Sequence, residues 1–405
     1  MHVAITGPVA SADLAQIVGT RACDMPIGYS GAPLMATLAR EFLTMGHRLT
    51  IVSTDSNLPL RAEGVRRYEF DSLTVVFCPC RPRAWRPNGL RPGRIVDLFA
   101  FERVLLCDEL LRSDADVVHA HWAYEFGVAA LASGLPVVLS LHDSPATILR
   151  HTRSPYRALR WLMARRAMRT ATHLTAPSPY LAHALQASCR APIAVVPNPV
   201  SHEVIELGRR RQRPTTRRIA MVCNGWDRIK NPEVALEAFA RFRRAQPEAE
   251  LHLFGHDFEA DGYGQRWAFT RGLLGGCHFH GPTAHGRMIG QLARMDVLLH
   301  TSREESFGVA IAEAMSLGLN VVAGSCSGAV PWVTGADDGN GASAPAGILV
   351  DIESADAVAE GLARAFDETY PLRSATGLAR VVNSFSPTAV ASAYLAAYRN
   401  AVGLR

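Results

Sequence analysis

Thr301-Ser-Arg-Glu-Glu-Ser-Phe-Gly-Val-Ala-Ile-Ala-Glu-Ala-Met-Ser-Leu-Gly318 is the stretch whose reading decides the fold. It follows Asp296-Val-Leu-Leu-His300, an apolar run suited to a strand buried on both faces. It continues through 309–317, rich in good helix formers, to Gly318 near the C-cap. A strand that passes at once into a helix leaves the first helical amides without carbonyl partners. Ser306, Phe307, Gly308 and Val309 are therefore expected to present backbone N–H groups where a diphosphate is favoured. Glu305 and Glu313 flank this turn with seven residues between them, roughly 12 Å apart along a helix axis. Carboxylates only accept hydrogen bonds, which suits them to hydroxyl donors. The stretch thus suits a nucleoside-diphosphate sugar laid along the helix, its sugar hydroxyls at Glu305, its diphosphate at the amides and its ribose at Glu313.

Outward from this point the chain alternates strand-like and helix-like segments, the pattern of doubly wound parallel sheets. Strands are expected at 2–6, 48–53, 116–121 and 136–142 in the first half, and near 251–254, 278–280, 296–300, 320–323 and 347–350 in the second. A chain of 405 residues exceeds what one core usually supports, so two domains are expected. The boundary falls after the Pro-Asn-Pro turn at 197–199, where a polar, arginine-rich segment precedes a new strand at Ile219.

Hydrophobic residues make up 48% of the chain and charged ones 20%, as in a globular enzyme, and no apolar run nears the roughly 18 residues of a membrane span. No signal peptide is read at the start, and the eight scattered cysteines lack metal-site spacing, so reduced thiols and a cytoplasmic location are expected. The net charge of +5 comes from arginine, concentrated in Arg81–Arg94 and Arg150–Arg169. The first is too proline-rich for a regular element. The second reads after Pro155 as a basic helix with Leu159, Trp161, Leu162 and Met163 for an apolar face. With no nucleic-acid motif beside them, these segments read either as a solvated face of an ordinary helix or as peripheral contact with an anionic membrane surface, and not as a nucleic-acid site.

With Ser306-Phe307-Gly308 and the run Glu313-Ala-Met-Ser-Leu-Gly-Leu-Asn-Val-Val-Ala-Gly324, the opening stretch resembles the signature of glycosyltransferase family 4, the retaining GT-B enzymes. The resemblance implies an α/β fold of two Rossmann-like doubly wound domains facing each other across a cleft. Residues 1–200 would form the acceptor side and 201–385 the nucleotide-sugar side, with a helix in 386–405 crossing back to the first domain. It further implies transfer of a sugar, with retention, from a nucleoside-diphosphate sugar to a hydroxyl acceptor. The acceptor would be a glycan or lipid-linked glycan of bacterial surface polysaccharide or glycoconjugate synthesis. No cofactor or essential metal is expected. Two alternatives stay open: a nucleotide-sugar-binding protein without turnover, and a sugar-nucleotide epimerase on the same scaffold.

Further residues follow from the same resemblance. Val222-Cys-Asn-Gly-Trp-Asp-Arg-Ile-Lys-Asn-Pro-Glu-Val-Ala-Leu-Glu-Ala-Phe239 resembles the segment that gives an arginine and a lysine to the donor diphosphate. Trp226 stands where arginine is usual, so Arg228 is expected in that role beside Lys230. His142 matches a histidine that lines the site beside the transferred sugar. His119 and His121 are expected on opposite faces of their strand, so that at most one looks toward ligand. Gly28 and Gly31 resemble the glycine loop over the donor phosphates, and Gly255 a base-binding turn.

Overall fold

The computed structural model describes residues 1–29, 33–212, 216–337 and 345–403. Gly31 lies outside them. The chain divides into two compact units, Met1–Pro199 with Pro387–Arg405, and Val200–Ser386.

The first unit is built on eight strands: β1 (His2–Thr6), β2 (Arg48–Asp55), β3 (Arg66–Glu69), β4 (Leu73–Pro79), β5 (Val117–His121), β6 (Val137–Ser140), β7 (His173–Ala176) and β8 (Ile193–Val195). Their order is β3-β4-β2-β1-β5-β6-β7-β8, parallel except for the edge pair β3 and β4. Side chains alternate between two cores, Ala4, Val52 and Val76 entering one and Val3, Ile5 and Ile51 the other. The last helix, Pro387–Ala401, completes the second of these cores with Val390, Ala391, Tyr394 and Tyr398. Pro387 opens that helix at a position where a missing N–H costs nothing.

The second unit carries β9 (Arg218–Val222), β10 (Glu250–Phe254), β11 (Cys277–Gly281), β12 (Val297–His300), β13 (Asn320–Gly324) and β14 (Gly347–Val350). All pair in parallel, in the order β11-β10-β9-β12-β13-β14. The order reverses direction between β1 and β5 in the first sheet and between β9 and β12 in the second. Chain leaving the carboxyl ends of such a pair diverges to opposite sides and opens a crevice, where α/β sheets bind ligands. No helix among the described residues is long and apolar enough to cross a membrane.

Two expectations about the arginine-rich segments are corrected. Residues 81–94 form no regular helix or strand, but Arg81 is fully buried, bonded to Asp97 at 2.8 Å and to Glu102 at 2.6 Å, and so is unavailable to a membrane surface. Burial works to raise the Asp97 carboxyl, yet the Arg81 hydrogen bond and charge outweigh it and hold Asp97 below its ordinary value. In the helix Pro155–Thr170 the buried face is Met163, Ala164, Ala167 and Met168, whereas Leu162 is exposed. Arg160 turns inward to Glu125 at 3.1 Å, its guanidinium 3.8 Å from the Tyr124 ring centroid. Arg81→Met would leave Glu102 buried without its cation. It is expected to cost about 3 kcal/mol of first-unit stability, read as a lower urea midpoint.

Candidate active site

The crevice of the second unit begins where β9 ends. Asp227 Oδ1 accepts the backbone N–H groups of Ile229 at 2.8 Å and Lys230 at 2.9 Å, folding residues 225–230 into a tight loop. Asn231 then takes a left-handed conformation, and Pro232 opens the helix Pro232–Ala245. Just past the end of the neighbouring strand β12, Thr301 Oγ1 donates to the carbonyls of Lys230 and Asn231 at 3.2 and 2.9 Å. This clamp aims the Lys230 ammonium at Glu305 Oε1, 2.7 Å away. His300, the last residue of β12, places Nε2 3.2 Å from the same oxygen.

The electrostatics are those of a sheltered ion cluster. Burial acts to raise the Glu305 carboxyl, but the His300 hydrogen bond and the charges of His300 and Lys230 outweigh it and hold Glu305 well below the carboxylate range. Burial likewise works against the Lys230 ammonium, and the adjacent Glu305 carboxylate raises its pKa overall. Both groups therefore stay ionised at neutral pH.

Beyond Glu305 the chain turns into the helix Val309–Ser316, whose N-cap Gly308 adopts φ +91°. Phe307 anchors the turn from below, buried against Phe385 at 5.2 Å and Trp332 at 6.3 Å between ring centroids. Among the described residues, the backbone N–H groups of Phe307, Gly308 and Val309 find no acceptor in the protein. Ser306, the fourth residue of the expected set, has a partner of its own. Two turns along, buried Glu313 lies 2.6 Å from Nε2 of His285. A helix start with open donors and a lysine at its mouth is an anion site, and the two carboxylates bracket it.

Arg228 is not drawn into this cluster. Its side chain is exposed and forms no ion pair among the described residues, while its carbonyl accepts from Arg303, which grips Glu353 at 2.6 and 2.7 Å. Trp226, in place of the usual arginine, packs with Phe258, Tyr263 and Trp267 at centroid distances of 5.6, 5.6 and 5.1 Å. The glycines have local explanations. Gly28, at φ +72°, gives its N–H to Asp55, and a Cβ there would lie 2.1 Å from the Val9 carbonyl oxygen. Gly255, at φ +119°, gives its N–H to Gly281, and a Cβ would lie 1.8 Å from the Cys223 carbonyl oxygen.

In the first unit, the carboxyl ends of β5 and β6 hold three histidines. The rings of His119 and His121 lie 4.1 Å apart, which corrects the expectation of opposite faces; residues two apart in a strand share a face. His119 bridges Ser140 Oγ at 2.7 Å and the Tyr398 hydroxyl at 2.6 Å. His121 Nδ1 is 2.8 Å from His142 Nε2, and His142 packs on Trp122 at 4.5 Å. The outer nitrogens of this pair, His121 Nε2 and His142 Nδ1, are buried without a partner among the described residues. Whichever ring donates to the other, one unsatisfied donor and one unsatisfied acceptor remain. Trp122 and Asp143 also line a cavity of about 330 Å³ with Tyr124, Tyr156, Arg157 and Arg160. Burial raises the Asp143 carboxyl against the opposing Tyr124 hydrogen bond.

Burial lowers His119 to about 3 and His142 to about 4, and puts His121 well below its ordinary value. All three are neutral in the fold and gain a proton on unfolding. The unfolded chain therefore binds more protons between those depressed values and about 6.5, and stability falls as pH drops through that window. Each histidine contributes up to about 1.4 kcal/mol per pH unit. Urea melts from about pH 7.5 to about pH 4.5 are expected to show a loss of several kcal/mol, eased by His119→Gln.

His300, His285 and Tyr398 were not singled out from sequence. Only His300 carried a signal, as a histidine at the end of the strand that leads to Glu305.

Residues 33–204 match the family described as Glycosyltransferase Family 4, and residues 205–377 match Glycosyl transferases group 1. No curated protein matches the sequence. Among solved structures, sucrose-phosphate synthase from Thermosynechococcus elongatus superposes with a TM-score of 0.73 at 16% identity, covering 99% of this chain and 98% of that one. Alpha,alpha-trehalose 6-phosphate synthase from Burkholderia multivorans gives 0.68 at 13%, covering 99% and 97%. HepE from Anabaena, in complex with UDP and glucose, gives 0.64 at 17%, covering 99% and 100%. At these identities the likeness is one of fold. With both family matches end to end along the chain and the two doubly wound sheets, the chain belongs to the GT-B glycosyltransferases of family 4 and group 1, and is a glycosyltransferase.

Proposed function

We propose that the enzyme moves a hexosyl unit from a nucleoside-diphosphate sugar to a glycan hydroxyl with retention at the anomeric carbon and without an essential metal ion. The observation that carries this reading is the Lys230–Glu305–His300 cluster beside the open amides of Phe307, Gly308 and Val309. Diphosphate oxygens accept from those amides and from Lys230, which supplies the positive charge a leaving nucleoside diphosphate needs. Glu305 orients sugar hydroxyls, and Glu313 accepts from the ribose. The unsatisfied nitrogens of the His121–His142 pair support hydrogen bonding to a sugar hydroxyl, and the aromatic-lined cavity of the first unit supports a glycan acceptor.

The C1–O bond to the diphosphate breaks as the acceptor oxygen approaches the same face of the sugar. The departing phosphate oxygen takes the acceptor proton. A double displacement would need a carboxylate beneath the anomeric carbon, and Glu305 is engaged with Lys230 and His300 instead. UDP-hexoses are the first donors to try, since HepE was solved with UDP and glucose. Arg228 stands outside this cluster, but its exposed side chain, without an ion pair among the described residues, leaves its charge available to an incoming diphosphate. Exposed Trp85 and Leu90 beside exposed Arg83 and Arg86 support a lipid-linked acceptor of bacterial surface glycan synthesis, met at the cytoplasmic face of the membrane. Co-sedimentation with anionic liposomes at low salt tests that part, and its absence would remove it.

The test of the reaction is anomeric proton NMR of the product formed from an α-configured UDP-hexose with a panel of glycan acceptors. An α-linked product is expected, whereas a β-linked product would contradict retention.

A further inference from the structure

Away from the donor site, the edge of the second sheet gathers four residues rich in metal-binding atoms. The strands β10 and β11 run parallel with Leu251 opposite Cys277 and His252 opposite His278. Because residues two apart share a face, Glu250 and His252 on one strand and His278 and His280 on the other all lie on the same side of the sheet. The rings stack: His252 on His278 at 4.7 Å and 18°, and His252 on His280 at 5.3 Å and 10°.

We infer that Glu250, His252 and His278 form a binding site for a zinc ion, with His280 and Arg218 holding two of the ligands in place. The ligand atoms of the three residues all lie within 4.8 Å of one another. His252 Nε2 is 3.3 Å from Glu250 Oε2, already the spacing that two ligands of a tetrahedral zinc adopt with bonds of about 2.0–2.1 Å. His278 Nε2 stands 3.9 Å from Glu250 Oε1, and its half-exposed ring is free to close the rest.

The surrounding contacts favour the same assignment. A metal-bound imidazole is normally oriented by a hydrogen bond from its other nitrogen. His252 Nδ1 has that bond, 3.0 Å from His280 Nε2, which directs Nε2 toward Glu250. Arg218 Nε donates to Glu250 Oε2 at 2.8 Å, fixing the carboxylate and leaving Oε1 turned toward His278. His280 is itself backed by Phe254, the two rings stacked at 4.6 Å. Two imidazoles and one carboxylate are a borderline donor set that suits zinc, whereas magnesium and calcium prefer all-oxygen shells. Water would fill the fourth position. The alternative is a stack of histidines serving only to cover the sheet edge, and the two differ in what they predict.

The test is calorimetric titration of ZnCl₂ into the full chain after EDTA treatment and dialysis. One equivalent is expected, with a dissociation constant below about 10 μM, and magnesium at the same concentration should give no heat. His278→Ala removes an exposed ligand without touching the core, so it should fold as wild type does by circular dichroism while weakening zinc at least about 100-fold. His280→Ala removes no ligand and should weaken zinc about 10-fold, a change that mere covering of the sheet edge would not produce. Zinc binding that is absent in the wild type, or unchanged in His278→Ala, would overturn the assignment.

Discussion

Lys230→Ala is expected to lower kcat/KM for sugar transfer about 10³-fold, through kcat more than KM. The ammonium is held by three cooperating features. The Asp227 side chain shapes its loop, Thr301 clamps the carbonyls of Lys230 and Asn231, and Glu305 fixes its charged end at 2.7 Å. A cation positioned in advance stabilises charge on the departing diphosphate without reorganising, which is why its removal should act on the chemical step. The substitution also strips Glu305 of its nearest cation, so part of any loss is structural. Two readouts separate the contributions. Added ethylamine should restore a measurable fraction of activity, and the unfolding midpoint should fall by much less than the activity. A Lys230→Ala variant with more than about a tenth of wild-type activity would remove Lys230 from the chemistry.

Glu313→Ala is expected to weaken donor binding about 10²–10³-fold while leaving the fold intact. Glu313 is buried on the helix that starts at the open amides, and His285 contacts it at 2.6 Å. A buried carboxylate that accepts from a ribose hydroxyl loses that bond when truncated, and His285 is left facing an empty space. Glu313→Gln keeps an acceptor oxygen and should lose roughly a tenth as much affinity as the alanine variant. If His285 alone were the reason for Glu313, both variants would bind nucleotide as the wild type does.

Much of this site was legible in the sequence because its parts are local. Glu305, the amides of Phe307, Gly308 and Val309, and Glu313 fall within one strand-turn-helix unit, where periodicity and helix-end chemistry fix what is exposed. Lys230 was legible only through the resemblance of residues 222–239 to a donor-binding segment; the structure supplies the reason, since the loop after β9 faces the loop after β12 where the strand order reverses. What escaped is tertiary. His285 comes to Glu313 from a separate helix, and Tyr398 reaches His119 from the far end of the chain. The arginine runs misled for the same reason. The partners of Arg81 and Arg160 are Asp97, Glu102 and Glu125, which lie outside those runs and turn two of the cations inward. The placement of His119 and His121 on one face was within reach, since a two-residue strand period requires it.

The claim on which the rest depends is that the second unit holds a nucleoside diphosphate between Glu305 and Glu313. A thermal-shift titration with UDP, GDP, ADP and their sugars, with and without magnesium, on wild type and Glu313→Ala, tests it most directly. The account predicts that one nucleotide selectively raises the melting temperature, equally with and without magnesium, and that the shift disappears in Glu313→Ala. A shift that survives undiminished in Glu313→Ala, or no shift with any nucleotide, would contradict it.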